Sequence, residues 1–432
     1  MKPNILLSTG LILLVYLVCT VCLMIPATSA GATHSALPCD VDGDNKLTED
    51  EVFNAICEYM LDQSSYTLRD VRDASHILTF WEGKPKTFFD YDGREVTLYR
   101  PVNRIITTNP DNSRMVIALG DIDKLISTDE ATRGSCILPR DDSDEKVVKS
   151  AWEDLQIYGG GQLDELPETN TRREIDYETM AMLQPDLVLD ATWYDRADVI
   201  EERLGCPAAV AGAGFMFEEN IEHIRMLGEI LDRQDRGEEL IEFIRSRIEM
   251  VESVSSQIDE SKKQVVYFAP RGAQQGFYDA VEGRDFTRTE AFYEPLKIAG
   301  GTNVARDVRG DNINVPPEQI IAWNPEVIFV AWSFSHEPGE PTGVDFVMGT
   351  PELSDITAVK DNQVYSCVFP YCRGRPMDRN LLNMVYMAKR LHPEEFSHID
   401  MEAHVNEVYE EILGIEGMYT ELAELWPFLN EV

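Results

Sequence analysis

Positive charge is scarce in this sequence: 38 Lys and Arg stand against 77 Asp and Glu over 432 residues, a formal net charge of −39. That balance excludes nucleic acid as a partner, because phosphate backbones need a basic face. Against it, the pair Arg373 and Arg375 is conspicuous. Histidine is thin as well, at seven residues. Only His336 falls near a predicted cleft loop, and no His/carboxylate cluster has metal-ligand spacing, which argues against a bare transition-metal site. Catalytic signatures are missing too. There is no Ser nucleophile elbow, zinc-protease helix or Walker loop, and Gly212-Ala213-Gly214 lacks the further glycine of a dinucleotide fingerprint. Beyond Ile5–Ile25, no stretch is long and apolar enough to span a bilayer.

What is present begins with that apolar run. Lys2, the run itself and the small residues Ala27-Thr28-Ser29-Ala30 read as a secretory signal over residues 1–30. An uncleaved membrane anchor is the alternative, since the run approaches the ~20 residues a spanning helix needs. The expected location is extracytoplasmic, secreted or associated with the cell surface. Export suits disulfides. Discounting Cys19 and Cys22, the remaining cysteines fall two by two into three segments, so Cys39–Cys57, Cys136–Cys206 and Cys367–Cys372 are the expected pairs.

Residues 40–51 read DVDGDNKLTEDE. Asp40, Asp42 and Asp44 at loop positions 1, 3 and 5, the Lys46 carbonyl at 7, Thr48 at 9 and Glu51 at 12 match an EF-hand loop, whose hard oxygens wrap Ca²⁺. Position 6 is Asn45 in place of glycine, the next most tolerant residue for a left-handed turn. A helix over 49–61 should follow. Leu47-Thr48-Glu49-Asp50-Glu51-Val52 is echoed by Tyr66-Thr67-Leu68-Arg69-Asp70-Val71 without upstream carboxylates, so one ion is expected. Residues 37–82 resemble a dockerin-type calcium module with only its first loop intact. The resemblance implies another surface protein as a partner. The small core points to a spacer or tether, held by Ca²⁺ and a Cys39–Cys57 bridge.

A second repeat says more. Glu178, Pro185, Asp186 and the run LVLDATWY (187–194) recur as Glu318, Pro325, Glu326 and VIFVAWSF (327–334). Each copy reads as a short helix with Glu near its start, a proline turn, and a buried strand ending in aromatics. Around them helices and apolar strands alternate, the pattern of parallel sheets covered by helices. A hairpin is expected about Asp92-Gly93, strands at 105–107, 125–126, 208–210, 264–268 and 363–368, and helices in the tail 381–429. Helical spacing runs from Glu218 to Lys262 with a break near 232–235. The second helix, about 236–258, would be roughly 35 Å long at ~1.5 Å per residue. The fold class is therefore α/β: two Rossmann-like lobes with parallel sheets (88–217 and 262–432), joined by a long rigid helix within the segment 218–261. The small N-terminal helical EF-hand/dockerin-like module (37–82) precedes them.

The stretches DYDGREVTL with PVNRII, LQPDLVL, IRMLGEILDRQDRGEELI, AGGTNVA and PPEQIIAWNPEVIFV carry a resemblance over residues 88–414. The chain resembles solute-binding proteins of ABC importers, in the helical-backbone class (class III periplasmic-binding-protein-like) that handles iron–siderophore complexes, haem and vitamin B12. The resemblance implies a monomer that captures a metal chelate (ferric siderophore or corrinoid, less readily haem) in an interlobe cleft and delivers it to a membrane permease dimer. It also implies that Glu178 and Glu318 meet arginines of that permease. A lone glutamate in a first turn would merely complement the helix dipole; two at equivalent positions favour docking. Ligands of open α/β sheets sit where strands end. The pocket is therefore expected at Tyr158, Trp193, Tyr194, Arg271, Phe277, Trp332, Phe334, Tyr371 and Arg373, aromatics walling a flat complex and arginines fixing its acidic groups. Arg375 suits a structural ion pair equally well, and haem-iron ligation by Tyr371 or His336 is a minor alternative. Two other readings stay open: a calcium-dependent adhesion or scaffold protein, and an enzyme on a two-lobed α/β fold.

Overall fold

The computed structural model describes residues 37–129, 132, 135–138, 146–149, 163, 165–171, 174–192, 194–212, 214, 216–270, 285–310, 313–331, 342–368 and 376–432. It opens with two helices, α1 (Glu49–Met60) and α2 (Leu68–Trp81). Both start alike. Thr48 and Thr67 accept from the N–H three residues on, while Glu51 and Asp70 accept from the threonine N–H, so each copy of the echoed sequence carries a reciprocal cap. Val52, Ala55 and Ile56 of α1 pack with Val71, Ala74 and Ile77 of α2 in a core of their own. The unit is not a loose spacer. Arg69 Nη2 donates to the Glu201 carbonyl at 3.1 Å and Arg72 Nη2 to that of Gly205 at 3.2 Å. Trp81 packs against both this core and the main one.

The expected hairpin follows as β1 (Lys86–Phe89) and β2 (Glu95–Leu98), turning through Gly93 at φ +75°. β3 (Ile105–Thr107) runs into α3 (Pro110–Ala118). Asn109 caps that helix by accepting from the Asn112 N–H at 3.0 Å, and Pro110 occupies a first turn that needs no amide donor. Next come β4 (Thr128–Asp129), the hairpin β5 (Ser135–Leu138) with β6 (Lys146–Lys149), and β7 (Glu168–Asn170). The strand expected at 125–126 is only a bridge between Leu125 and Ile105; pairing proper starts at Thr128, against β7. α4 (Tyr177–Leu183), β8 (Leu187–Ala191), α5 (Ala197–Leu204) and β9 (Ala208–Ala211) complete the lobe. β3, β8 and β9 form a parallel sheet in that order.

Asp232, in the left-handed region at φ +58°, breaks the linking segment into α6 (Phe217–Leu231) and α7 (Gln234–Ser255). The second half of the molecule holds β10 (Val265–Ala269), β11 (Arg288–Thr289), α8 (Glu294–Ile298), β12 (Thr302–Asn303), β13 (Ile313–Asn314), α9 (Pro317–Trp323) and β14 (Val327–Ala331). It continues with α10 (Gly343–Gly349), α11 (Thr357–Lys360), β15 (Val364–Cys367), α12 (Met377–Leu391), α13 (Met401–Leu413) and α14 (Tyr419–Leu425). Its sheet, β12-β10-β14-β15, is parallel throughout. One apolar cluster runs from Ile105 and Leu189 through Leu240, Ile244 and Val251 of α7 to Phe268, Phe329 and Leu381. Arg236 of α7 ties the two sides together, donating to the Ala118 carbonyl at the end of α3 and pairing with Glu411 of α13 at 2.6 Å.

The cysteines correct the sequence reading. Cys39, Cys57, Cys206 and Cys367 are free thiols, so none of the pairs Cys39–Cys57, Cys136–Cys206 and Cys367–Cys372 forms. Cys39, Cys206 and Cys367 sit in three separate apolar clusters, where each packs as a small hydrophobe. Burial pushes the Cys39 and Cys206 thiols up to about 12. The Cys136 side chain and Cys372 lie outside the described residues. Among those residues no helix is long and apolar enough to cross a membrane; the run 5–25 falls outside them.

Candidate functional site

The repeated sequence folds twice into the same object. α4 and α9 are each seven residues long and end on a left-handed residue, Gln184 at φ 49° and Asn324 at φ 45°. A buried proline follows, then a five-residue strand buried at every position. Asp176 starts α4 by accepting from the Thr179 N–H at 2.9 Å, whereas α9 starts with Pro316 and Pro317. Glu178 and Glu318 are exposed in the two first turns.

Parallel strands bring all their carboxyl ends to one edge of a sheet. α3 leaves the edge after β3, and α12 comes shortly after β15; their early turns meet. Arg114 Nη1 lies 2.5 Å from Asp378 Oδ2, with 5% and 2% of the two side chains exposed. Glu294 of α8 accepts from the Phe217 N–H at 2.6 Å across the same seam. A cavity of about 30 Å³ opens there, lined by Asp111, Arg114, Met115, Ile244, Met377 and Asp378 among others. Asp111 is buried, and burial holds its carboxyl well above the ordinary range; Arg114 opposes that shift and Asp378 adds to it.

The seam edge of the first lobe is rich in polar groups lacking hydrogen-bond partners. Asn109 Nδ2, both Asp111 carboxylate oxygens, Asn112 Oδ1, Thr128 Oγ1 and Asn170 Oδ1 are buried and unpaired. Asn109, Asp111 and Asn112 follow β3, Asn170 ends β7, and Thr128 opens β4. The sequence reading missed them because it looked for aromatics and arginines; the polar string Thr107-Thr108-Asn109-Pro110-Asp111-Asn112-Ser113 directly after an apolar strand was the available signal. Thr108 Oγ1 donates to Asp190 at 2.5 Å, and Arg196 pairs with Asp190 at the same distance.

Of the pocket residues expected from sequence, Tyr194 is placed just past β8. It is half-buried, with the Arg196 guanidinium 3.7 Å from its ring centroid. Tyr158, Trp193, Arg271, Phe277, Trp332, Phe334, Tyr371 and Arg373 lie outside the described residues, as do His336 and Arg375. In the amino-terminal unit, carboxylate oxygens of Asp40, Asp42 and Asp44 come within 4.8 Å of one another. Asn45 takes the left-handed turn at φ +60°, and Glu51 folds back to accept from the Val41 N–H at 3.0 Å. Lys46 and Thr48 are exposed on the same loop. The donor set is all hard oxygen and suits Ca²⁺.

Two lobes, each built on a parallel sheet, joined by the buried Arg114–Asp378 pair and sharing one apolar cluster along a long helix, have the frame of a two-lobed solute-binding protein. The chain belongs to the periplasmic binding protein family, whose sequence model matches residues 105–371. It is a binding protein and not an enzyme. The molybdate-binding protein MolA of Haemophilus influenzae is 24% identical over 189 residues, 43% of this chain and 49% of that protein; the chain thus spans about half the length of that relative. An uncharacterized ABC transporter substrate-binding lipoprotein of Bacillus subtilis, YvrC, is 22% identical over 318 residues, 72% of this chain and 87% of the relative. A periplasmic solute binding protein from Veillonella parvula is similar in structure, with a TM-score of 0.60 at 19% identity, covering 80% of this chain and 99% of its own. That likeness is one of fold.

Proposed function

We propose that this protein is the extracytoplasmic solute-binding component of an ABC importer. It takes up a metal chelate, a ferric siderophore or a corrinoid, between its lobes and passes it to a membrane permease. The observation that carries this reading is the group of partnerless buried polar atoms at the seam edge. Buried polar groups are normally satisfied, and a bound solute is what these would meet. Trp193, Arg271, Trp332, Tyr371 and Arg373 belong by sequence to the exits of neighbouring strands and would supply the remaining walls. Exposed glutamates at matched places on both lobes, Glu178 and Glu318, support delivery to a partner with two basic sockets. The loop 40–51 is proposed to hold one Ca²⁺ through Asp40, Asp42, Asp44, the Lys46 carbonyl, Thr48 and Glu51, stiffening a unit already fastened to the lobe by Arg69 and Arg72.

Thermal-shift screening of the whole protein against ferric siderophores, cobamides and haemin tests the reading. A true solute raises the melting point with its concentration, by about 2.7 kcal/mol of stabilisation at a hundredfold excess over Kd. Protein freed of copurifying solute that responds to none of them is not an importer component of this kind.

A further inference from the structure

α4 and α9 match beyond their glutamates. Met180 and Ile320, two residues on, are buried at 0% and 1% exposure. Leu183 and Trp323 complete the inner faces, packed against the cores of their lobes. The core side of each helix is therefore filled. On the other side each carries one small and one large apolar residue in the open, Ala181 with Met182 and Ala322 with Ile321. Met182 is 78% exposed and Ile321 39%. A single exposed apolar side chain needs no explanation. Here seven large ones are exposed among the described residues of the two lobes, and two of them fall on these two seven-residue helices. Met182 stands four residues after Glu178 and Ile321 three after Glu318, the spacings that put side chains on one helix face.

We propose that Met182 and Ile321 belong to the surface that meets the importer, so that each socket on the permease is a basic side chain rimmed by apolar groups. This rests on the docking role given to Glu178 and Glu318 above. The reason is electrostatic. An ion pair left in water changes affinity by less than about fivefold. In a protein of net charge −39, moreover, an acidic surface alone marks no particular place. Apolar side chains beside the pair exclude water, which strengthens the attraction at contact, and they add burial of their own. The two parts then divide the work. Charge steers the encounter and sets the on-rate, whereas the apolar contacts hold the complex and set the off-rate. A partner with bare basic patches would find many acidic places on this chain; one with apolar-rimmed basic sockets fits these two helices.

The test is biolayer interferometry of the full chain against the cognate permease–ATPase complex in lipid nanodiscs, over a series of salt concentrations. Met182→Gln with Ile321→Gln should weaken binding by about tenfold or more through faster dissociation, with the salt dependence kept. The conservative pair, Met182→Leu with Ile321→Val, should bind like wild type. Because both sites are exposed, all these variants should melt within about 1 °C of wild type. Glu178→Ala with Glu318→Ala should instead slow association and flatten the salt dependence. Affinity of the Met182→Gln, Ile321→Gln protein within about twofold of wild type, or a conservative pair that binds as weakly as it, overturns the inference; a glutamate variant that still loses binding then leaves docking standing. If neither the apolar nor the glutamate changes alter binding, the docking role falls as well.

Discussion

Replacing Arg114 by methionine should rank among the most damaging single changes available to this protein. The guanidinium joins the lobes at 2.5 Å from Asp378, almost wholly withdrawn from water. Removing it takes the guanidinium away from Asp378 and from beside Asp111, both of which line a cavity with apolar neighbours such as Met115, Ile244 and Met377. Breaking a buried pair from one side costs about 3–5 kcal/mol. At about 2.1 cal/mol/K per residue, a unit of this length unfolds with an entropy of roughly 0.8 kcal/mol/K, so melting should fall by about 4–6 °C. Changing both partners, Arg114→Met with Asp378→Leu, should recover much of that loss, because an apolar pair needs no desolvated charge. Differential scanning calorimetry at neutral pH measures all three proteins. A single variant melting within about 1 °C of wild type, or a double variant no better than the single, would refute the claim that this contact is a desolvated bridge.

Glu178→Ala combined with Glu318→Ala should leave solute affinity unchanged while abolishing transfer to permease-bearing vesicles; undiminished transfer removes the docking role. Chelation with EGTA, or Asp42→Ala with Asp44→Ala, should speed proteolysis within residues 37–83, and equal cleavage with and without calcium would take the ion out of the reading. Burial pushes His404 down to about 4, the Leu381 carbonyl opposing, and His76 also to about 4. Their neutral forms stabilise the fold fully above about pH 6.5, and that contribution is lost as pH falls towards 4, at about 1.4 kcal/mol per pH unit for each group. His404→Leu should flatten this slope by one proton in acid-unfolding curves; an unchanged slope contradicts the assignment. Asp111 works in the opposite direction, its contribution present at low pH and lost as pH rises through its raised value.

Periodicity carried most of the architecture. The Glu–Pro–strand repeat, the hairpin at Gly93 and the break at Asp232 were legible because each depends on local geometry: a left-handed residue, a proline, an apolar run. The helix expected at about 236–258 runs from Gln234 to Ser255. What sequence could not supply was anything decided by contact at a distance. Cys39 and Cys57 read as a bridge by position, yet Cys39 packs beside Leu47 and Val71 as a core residue. The pairing of Arg114 with Asp378 joins residues far apart in the chain that no motif connects. The unit at 37–82 looked like a tether because nothing local reveals that Arg69 and Arg72 reach the carbonyls ending α5.

The unbroken apolar cluster running through α7 into both lobes limits how far Glu178 and Glu318 can move relative to each other. If Glu178 and Glu318 are the proposed contacts, a filled protein and an empty one would offer an importer nearly the same gap between them. Vacant copies would occupy the entrance as readily as laden ones, so uptake would follow the proportion of protein carrying cargo rather than its abundance. Overproduction at low solute would slow transport instead of speeding it.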